Sequence, residues 1–290
     1  MHDGPPTDAI LFPGQGSQTP GMRRIVEAFR PDLLPLAERA VGADPFERIE
    51  EGTRYTQPAI FCAAVAGWSA IEADLSPLAM GGHSLGEIAA LVAAGALSAA
   101  DGILLIAERG RLMQEAAEAN GDGGMAAVLG EPREAVEEVA AAHDLVLAND
   151  NSPTQVVLSG PSRALAGAEE ALRERGLRVM PLAVRGAFHT PAMEPAARAF
   201  GEVLAGVEFA QPEVPVYSCV TARPFTDPRS ELARSLTDQV RWLEVMEALQ
   251  ASGATRFVET GPGKVLSRLV RRTLKGVEAL APVEEVLAGA

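Results

Sequence analysis

This 290-residue sequence predicts an α/β fold that contains a parallel sheet. Short apolar segments such as Ala9–Phe12 and Leu78–Gly81 alternate with longer segments of helical periodicity, the pattern of a parallel sheet covered by helices on both faces. In the middle of the chain the order changes to strand, helix, strand, strand, helix, strand, which is typical of a ferredoxin-like unit. The sequence therefore predicts a parallel-sheet domain with a smaller, ferredoxin-like (βαββαβ) domain inserted in it.

The first part of the chain contains two predicted strands and four predicted helices. The strands are Ala9–Phe12 and Leu78–Gly81, and the helices are Met22–Glu38, Gln57–Glu72, Glu87–Gly95 and Ala100–Ala119. The segment Asn120-Gly121-Asp122-Gly123-Gly124 then interrupts the pattern. Because glycine and asparagine favour turns, we place a domain boundary there.

Six predicted elements define the inserted domain at 125–185. They are the strands Met125–Leu129, Leu145–Ala148, Gln155–Ser159 and Arg178–Val184, and the helices Arg133–His143 and Ser162–Arg175. Residues 186–290 return to the α/β pattern and complete the catalytic domain with residues 1–124. Their predicted strands are Val214–Ser218, Arg256–Glu259 and Ala279–Ala281; their predicted helices are Pro191–Leu204, Ser230–Leu236, Arg241–Ala251 and Pro262–Thr273.

The composition restricts the classes of partner. With 39 acidic and 25 basic residues the formal net charge is −14, which argues against a nucleic acid or an anionic membrane as partner. The apolar segments Ala59–Ile71 and Ile88–Ala100 are too short to span a bilayer, and the polar segment Met1–Asp8 is unlike a signal peptide. Cys62 and Cys219 lack metal-binding or redox spacing, so we expect no metal site and a reducing, cytoplasmic location.

The strongest functional signal is Gly82-His83-Ser84-Leu85-Gly86. It has the G-x-S-x-G pattern of a nucleophile elbow and lies between a predicted strand and a predicted helix, which is the context an elbow needs. The two glycines allow strand and helix to approach each other, and the N-terminal N–H groups of the helix face the group under attack. The pattern predicts acyl transfer through Ser84, with a chance match in an Ala- and Gly-rich chain as the alternative.

A serine nucleophile needs a base, and the chain has only four histidines to supply it. His2 lies in the terminal segment, His83 should point away from its neighbour Ser84, and His143 ends a helix of the inserted domain. His189 remains, in a loop where the chain returns to the main domain. We predict His189 as the base rather than a capping or interface histidine. No acidic side chain stands out as the group that orients its imidazole.

Two further polar residues suit a negatively charged reactant. Arg109 lies in a predicted helix with apolar neighbours three and four residues away and no acid to pair with along that helix. It is either a ligand for an acyl carboxylate or an ordinary surface arginine. Gln15 follows the first predicted strand, where its amide could hold an oxyanion. Neither the segment around Gln15 nor Gly261-Pro262-Gly263-Lys264 completes a nucleotide-binding pattern.

Seven segments, in order along the chain, resemble the malonyl-CoA:acyl-carrier-protein transacylase family and the related acyltransferase domains of polyketide and fatty acid synthases. They are Phe12-Pro13-Gly14-Gln15-Gly16-Ser17-Gln18, Thr56-Gln57-Pro58-Ala59, Gly82-His83-Ser84-Leu85-Gly86-Glu87, Arg109-Gly110-Arg111-Leu112-Met113-Gln114, Asn149-Asp150-Asn151-Ser152-Pro153, Gly186-Ala187-Phe188-His189 and Glu259-Thr260-Gly261-Pro262-Gly263-Lys264-Val265-Leu266. The resemblance covers nearly the whole chain. It implies a hydrolase-like α/β domain with a ferredoxin-like insertion, in agreement with the element order.

The resemblance also implies catalytic roles. Ser84 matches the nucleophile and His189 the general base. Gln15 and the N–H group of Leu85 match the oxyanion hole. A main-chain carbonyl orients the imidazole in this family, and the matching position is Ser252, which would explain why no acid stands out.

The residues implied in substrate binding form a second set. Arg109 matches the arginine that pairs with the malonyl carboxylate, and Gln57 and Asn151 match pocket-lining positions. Leu85 after the serine and Phe188 before the histidine resemble the malonyl-selective pattern. One departure, Asp238-Gln239 where relatives often carry Asn-Pro, concerns only the conformation of a loop.

The implied reaction transfers a malonyl group from malonyl-CoA through a covalent malonyl-Ser84 intermediate to the phosphopantetheine thiol of acyl carrier protein, for fatty acid biosynthesis. A stand-alone, trans-acting acyltransferase of a polyketide synthase, a serine thioesterase or hydrolase, and an inactive carrier-docking module remain as alternatives. No cofactor besides the CoA thioester substrate is implied, and a monomer is expected. Candidates for docking the anionic partners are Arg111, Arg185, Arg223 and Lys264.

Overall fold

The computed structural model describes residues 7–289; residues 1–6, which include His2, and residue 290 lie outside the described part. Its strands are β1 (Asp8–Phe12), β2 (Pro77–Gly82), β3 (Gly124–Leu129), β4 (Val146–Ser152), β5 (Gln155–Gly160), β6 (Arg178–Pro181), β7 (Val216–Tyr217), β8 (Arg256–Glu259) and β9 (Glu278–Leu280). Its α-helices are α1 (Met22–Phe29), α2 (Leu33–Val41), α3 (Thr53–Ile71), α4 (Gly86–Ala93), α5 (Ala99–Asn120), α6 (Arg133–Ala142), α7 (Ser162–Glu174), α8 (Glu194–Ala205), α9 (Pro228–Arg234), α10 (Trp242–Ala251), α11 (Val265–Thr273) and α12 (Val283–Gly289).

The larger sheet has five parallel strands in the order β7-β2-β1-β8-β9. Its central strand β1 is completely buried, as expected for an apolar strand covered on both faces. β1 and β2 are neighbours, and Phe12 pairs with Gly82 at their carboxyl ends. The loop that carries Gln15 and the turn that carries Ser84 therefore leave the sheet side by side.

The smaller sheet is antiparallel, with strand order β4-β5-β3-β6, and comes entirely from residues 124–181. Apolar residues of α6 and α7 pack against it in a separate core. This arrangement confirms the predicted fold class, an α/β parallel sheet with a ferredoxin-like insertion. The domain limits at 125 and 185 stay a prediction.

A backbone contact joins the smaller sheet to the segment before α10. The N–H group of Val240 donates to Ala148 O, and the N–H group of Asp150 donates to Val240 O, both at 2.8 Å. Gln239 adds a side-chain hydrogen bond to Leu147 O at 3.0 Å. The Asp238-Gln239 departure thus lies where the loop contacts β4.

The structure corrects two predicted helices and adds one helix that was not predicted. The single helix predicted at Met22–Glu38 is wrong: the chain forms α1 and α2, separated around Pro31, because a proline disfavours helical geometry in the residue before it. The helix predicted to begin at Gln57 begins at Thr53 and includes Pro58. The short helix α12 was not predicted, and it packs against α1 and α3.

None of the helices within residues 7–289 is both long enough and apolar enough to cross a membrane. The most buried long helix, α3, has 16 of its 19 residues buried, and it packs against α5, α1 and α4. Apolar burial on all sides therefore explains its composition.

Candidate active site

Ser84 lies at the sharp turn between β2 and α4 and has a positive φ of 53°. This left-handed conformation costs a non-glycine residue about 1–2 kcal/mol. The two glycines of the motif make the turn possible: a Cβ on Gly82 would lie 2.0 Å from the carbonyl carbon of Gly86, and one on Gly86 would lie 2.2 Å from Phe12 O. The structure therefore has the geometry of a nucleophile elbow.

A Gly86→Ala substitution will destabilise the protein. The added Cβ would clash with Phe12 O, a backbone atom that cannot rotate aside, so the strand and helix must separate. We expect a loss of about 3 kcal/mol in the free energy of unfolding. Urea titration measures it. Gly201→Ala, in α8, is the control, because its Cβ would meet nothing closer than 3.8 Å and alanine favours helices. Equal stability of the two variants would contradict the close approach.

The side chain of Ser84 is paired with His189, as predicted. Ser84 Oγ lies 3.0 Å from His189 Nε2. His189 Nδ1 lies 2.8 Å from the carbonyl oxygen of Ser235, so Nδ1 carries the proton and donates to that oxygen. Nε2 is then the unprotonated nitrogen and accepts from the Ser84 hydroxyl. This is the arrangement a general base requires.

The prediction that Ser252 orients the imidazole is wrong. Ser235 occupies this role in the structure: it is the C-cap residue of α9, where the last carbonyl groups of a helix have no intrahelical partner. Ser252 caps α10 instead, and its own contacts run to Ala248 and Leu249. Any residue type supplies a carbonyl, so the sequence carries no signal for its position.

Arg109 projects from α5 to the nucleophile. Its Nη2 donates to Ser84 Oγ at 3.0 Å and its Nη1 donates to Gln57 Oε1 at 2.8 Å. The side chain is 2% exposed, and no carboxylate within residues 7–289 forms a salt bridge with it. Burial lowers the pKa of Arg109 from 12.5 to about 10, partly offset by the charge of Glu87. Arg109 is therefore a buried cation beside the nucleophile. Because no carboxylate of the described residues is paired with it, its charge can be neutralised by an anionic ligand.

Gln57 holds Arg109 in place. Its Nε2 donates to Thr53 Oγ1 at 2.8 Å, and Thr53 Oγ1 donates to Gln15 Oε1 at 3.0 Å. A continuous set of hydrogen bonds therefore links Arg109 to the loop after β1. Gln57 lines the cavity beside Ser84, as predicted, and contacts the guanidinium directly.

Two N–H groups are available to an oxyanion. No hydrogen bond of the described residues uses the backbone N–H group of Leu85 or that of Gln15. Both residues line the small cavity that contains Ser84, about 70 Å³ in size. Gln15 was predicted to contribute its side-chain amide; in the structure Gln15 lines this cavity, and its Oε1 accepts from Thr53 Oγ1. The oxyanion role of Leu85 and Gln15 stays a prediction.

Asn151 and Phe188 lie on different sides of the site. Phe188 lines the cavity with Ser84. The Nε2–H group of His83 donates to Asn151 Oδ1 at 2.9 Å, and Asn151 lines an adjoining cavity that also contains Gln15. His83 lines both this adjoining cavity and the cavity around Ser84, and its direction away from Ser84 stays a prediction.

Three neighbours of the catalytic residues were missed in the sequence analysis. Glu87, in the first turn of α4, is completely buried and accepts from the N–H group of Cys219 at 2.7 Å; burial raises its pKa to about 8. Asn149 lines the cavity with Ser84. Ser235 orients His189. The one available signal for these residues was the position of Glu87 directly after the elbow motif. That signal is weak, because an acid in the first turn of a helix is common for other reasons.

The environment of His189 predicts an unusual pH dependence. Burial, and then the charges of Arg109 and His83, lower the pKa of His189 from 6.5 to about 3. The neutral imidazole is the base, so the single-turnover rate of CoA release should stay constant from pH 8 down to about 5. A base of ordinary pKa would lose roughly 30-fold over that range. Stopped-flow thiol detection measures the rate, and a break near pH 6.5 would contradict the prediction.

The same shift links His189 to stability. The unfolded chain binds a proton on His189 more readily than the folded chain does. The stability that neutral His189 contributes to the free energy of unfolding is therefore complete above pH 6.5 and is lost as the pH falls towards 3.

The fold and the site define the class of serine-dependent acyltransferases. The elbow serine, the neutral histidine base and the free N–H groups suit acyl transfer. The buried cation suits an acyl group that carries a negative charge. The family model for the acyl transferase domain matches residues 45–288. The chain belongs to this family, and it is an acyltransferase.

Individual relatives agree over nearly the whole chain. The malonyl CoA-acyl carrier protein transacylase of Bacillus subtilis is 38% identical over 293 residues, covering 94% of this chain and 92% of that protein. The polyketide biosynthesis protein ThaF of Burkholderia thailandensis is 38% identical over 290 residues, but the chain spans only 25% of its length. The crystal structure of malonyl-CoA:acyl carrier protein transacylase from Xanthomonas oryzae superposes with a TM-score of 0.89 at 40% identity, over 98% of this chain and 97% of that one.

Proposed function

We propose that this protein transfers a malonyl group from malonyl-CoA to the phosphopantetheine thiol of acyl carrier protein. The observation that carries the proposal is the buried guanidinium of Arg109, 3.0 Å from Ser84 Oγ and without a carboxylate partner in the described chain. A malonyl group on Ser84 would bring a carboxylate to that cation. Relatives named as malonyl transacylases support the same substrate.

The first half of the proposed reaction acylates the enzyme. Ser84 Oγ attacks the thioester carbonyl carbon while His189 Nε2 takes the hydroxyl proton, and the Nδ1–H bond to Ser235 O stabilises the imidazolium. The tetrahedral oxyanion is held by the N–H groups of Leu85 and Gln15. The C–S bond then breaks, and CoA leaves with the proton from His189.

The second half reverses these roles. The phosphopantetheine thiol gives its proton to His189 Nε2 and attacks the ester carbonyl of malonyl-Ser84. The bond from the carbonyl carbon to Ser84 Oγ breaks, and His189 returns the proton to Ser84. Every step uses the same base and the same oxyanion donors, so the proposed mechanism needs no metal, nucleotide or redox cofactor.

We further propose that the protein acts as a monomer in the cytoplasm. The buried, unpaired cysteines Cys62 and Cys219 are in keeping with a reducing compartment. The pathway is proposed as fatty acid biosynthesis. The similarity to ThaF favours one second candidate, a stand-alone acyltransferase that serves a polyketide synthase.

A transfer assay tests the proposal. The protein is incubated with malonyl-CoA, with and without holo acyl carrier protein, and CoA, malonyl-carrier and free malonate are quantified. We expect CoA release to yield malonyl-carrier in equal amount. Rapid CoA release that yields only free malonate would identify a hydrolase instead.

A further inference from the structure

Helix α11 and the turns beside it carry a concentrated positive charge. Residues 260–277 contain five basic and no acidic residues, although the chain as a whole has 39 acidic residues and a net charge of −14. We call these five residues the α11 basic surface: Lys264, Arg268, Arg271, Arg272 and Lys275. Four of them are exposed and Lys264 is half-exposed. The surface is thus a local exception to the charge of the molecule.

The α11 basic surface has no internal charge partner. Within residues 7–289, none of its members forms a salt bridge. Arg268, Arg271 and Arg272 are spaced three and four residues apart on one helix face, where like charges repel by a few tenths of a kcal/mol per pair. By contrast Arg111, also expected to bind anions, is paired with Glu108 and Glu115. An external anion would relieve the repulsion in α11.

The same helix borders a route to the nucleophile. Val265, Leu266 and Leu269 line a cavity of about 220 Å³ together with Gln15 and His83. Gln15 and His83 also line the small cavity around Ser84. The basic surface therefore lies beside an opening that leads to the catalytic serine.

A second opening to the same site has the opposite charge. It shares Gln15 and Phe188 with the cavity around Ser84. Its rim carries the carboxylates of Glu50, Glu51 and Glu118, of which Glu51 is paired with Arg48, and one lining cation, Arg185. The opening beside α11 is lined by no carboxylate. An anionic partner is attracted to one opening and repelled from the other.

The opening beside α11 also has an apolar centre. Val265 is 40% exposed and Leu182 is 37% exposed, and both side chains line this cavity. They are among the few large apolar residues exposed on the described surface. An apolar centre with a charged rim is the usual composition of a transient protein–protein interface.

We propose that the α11 basic surface, together with Val265 and Leu182 in the opening beside it, is the docking surface for the acyl carrier protein. The carrier is anionic and must deliver a thiol to Ser84, so it needs a positive, partly apolar surface at an opening that reaches the nucleophile. This inference rests on the proposed function. Lys264 belongs to the surface, whereas Arg185 lies at the acidic opening.

Charge reversal separates docking from chemistry. The malonyl-enzyme is formed with malonyl-CoA, and transfer is measured to holo acyl carrier protein from Escherichia coli and to pantetheine, a thiol acceptor without the protein. In Arg268→Glu/Arg272→Glu we expect kcat/KM for the carrier to fall at least tenfold more than kcat/KM for pantetheine. The neutral variant Arg268→Gln/Arg272→Gln should lie between, with a weaker salt dependence than the unchanged protein.

Arg24→Glu/Arg39→Glu is the matched control. Both arginines are exposed on α1 and α2, and the charge change is the same. The ratio to compare is kcat/KM for the carrier over kcat/KM for pantetheine. If it changes equally in the control and in Arg268→Glu/Arg272→Glu, or changes in neither, the docking surface is overturned and the proposed function stays intact. A raised KM for malonyl-CoA with an unaltered carrier ratio overturns it too, in favour of CoA nucleotide binding. If the unchanged protein acylates pantetheine but never the carrier, the proposed function itself fails.

Discussion

A Ser84→Ala variant will lose malonyl transfer by roughly 10⁴- to 10⁶-fold, the scale found when an activated serine nucleophile is removed. The reason is geometric: Ser84 Oγ is the atom that both His189 Nε2 and Arg109 Nη2 contact, each at 3.0 Å. Intact-mass spectrometry after malonyl-CoA treatment should show a single malonyl adduct on the unchanged protein and none on the variant. An adduct that persists on Ser84→Ala would show that another residue is acylated.

Ser84→Gly distinguishes the strain of the elbow from its chemistry. Glycine adopts the φ of 53° at this position without the steric penalty that alanine has. We therefore expect the free energy of unfolding of Ser84→Gly to be about 1 kcal/mol higher than that of Ser84→Ala. Both variants should be equally inactive. A Gly variant no more stable than the Ala variant would indicate that the turn stores no strain.

Ser84 and His189 could be predicted from the sequence because their roles require particular side chains. An elbow needs glycines around its serine, and the scarcity of histidines leaves only His189 as a base. The carbonyl of Ser235 could not be found in the same way, since every residue has one and only the end of α9 brings this one to Nδ1. The resemblance pointed to Ser252, a residue in the equivalent position of another helix end.

Burial explains the other differences. Glu87 looks like an ordinary acid at a helix N-terminus, and only the structure shows that it is completely buried beside the elbow and bonded to the Cys219 N–H group. The division of the region after β1 into α1 and α2 depends on Pro31, which an apolar periodicity does not register. Element alternation predicts the fold class of both parts of the chain, whereas the order of the strands within each sheet was not predicted and comes from the structure.

Arg109→Ala will lower kcat/KM for malonyl-CoA by about 10²- to 10³-fold, because truncating one partner of a buried charge pair costs about 3–4 kcal/mol. Acetyl-CoA lacks the carboxylate, and in the unchanged protein it leaves the guanidinium buried and unpaired. Removing Arg109 removes that penalty, so the malonyl-to-acetyl preference should collapse. Competition between the two CoA thioesters, read by mass spectrometry of the acyl-enzyme, gives the ratio directly.

Two comparisons make the Arg109 result specific. Arg198→Ala, on the exposed face of α8 and outside the site, should change the malonyl-to-acetyl ratio less than twofold. Arg109→Lys keeps a positive charge but loses the two-nitrogen geometry that contacts Gln57 and Ser84 together, so it should recover only part of the malonyl activity. If Arg109→Ala slows both thioesters equally and leaves their ratio unchanged, Arg109 positions Ser84 rather than recognising the carboxylate, and the substrate proposal loses its main support.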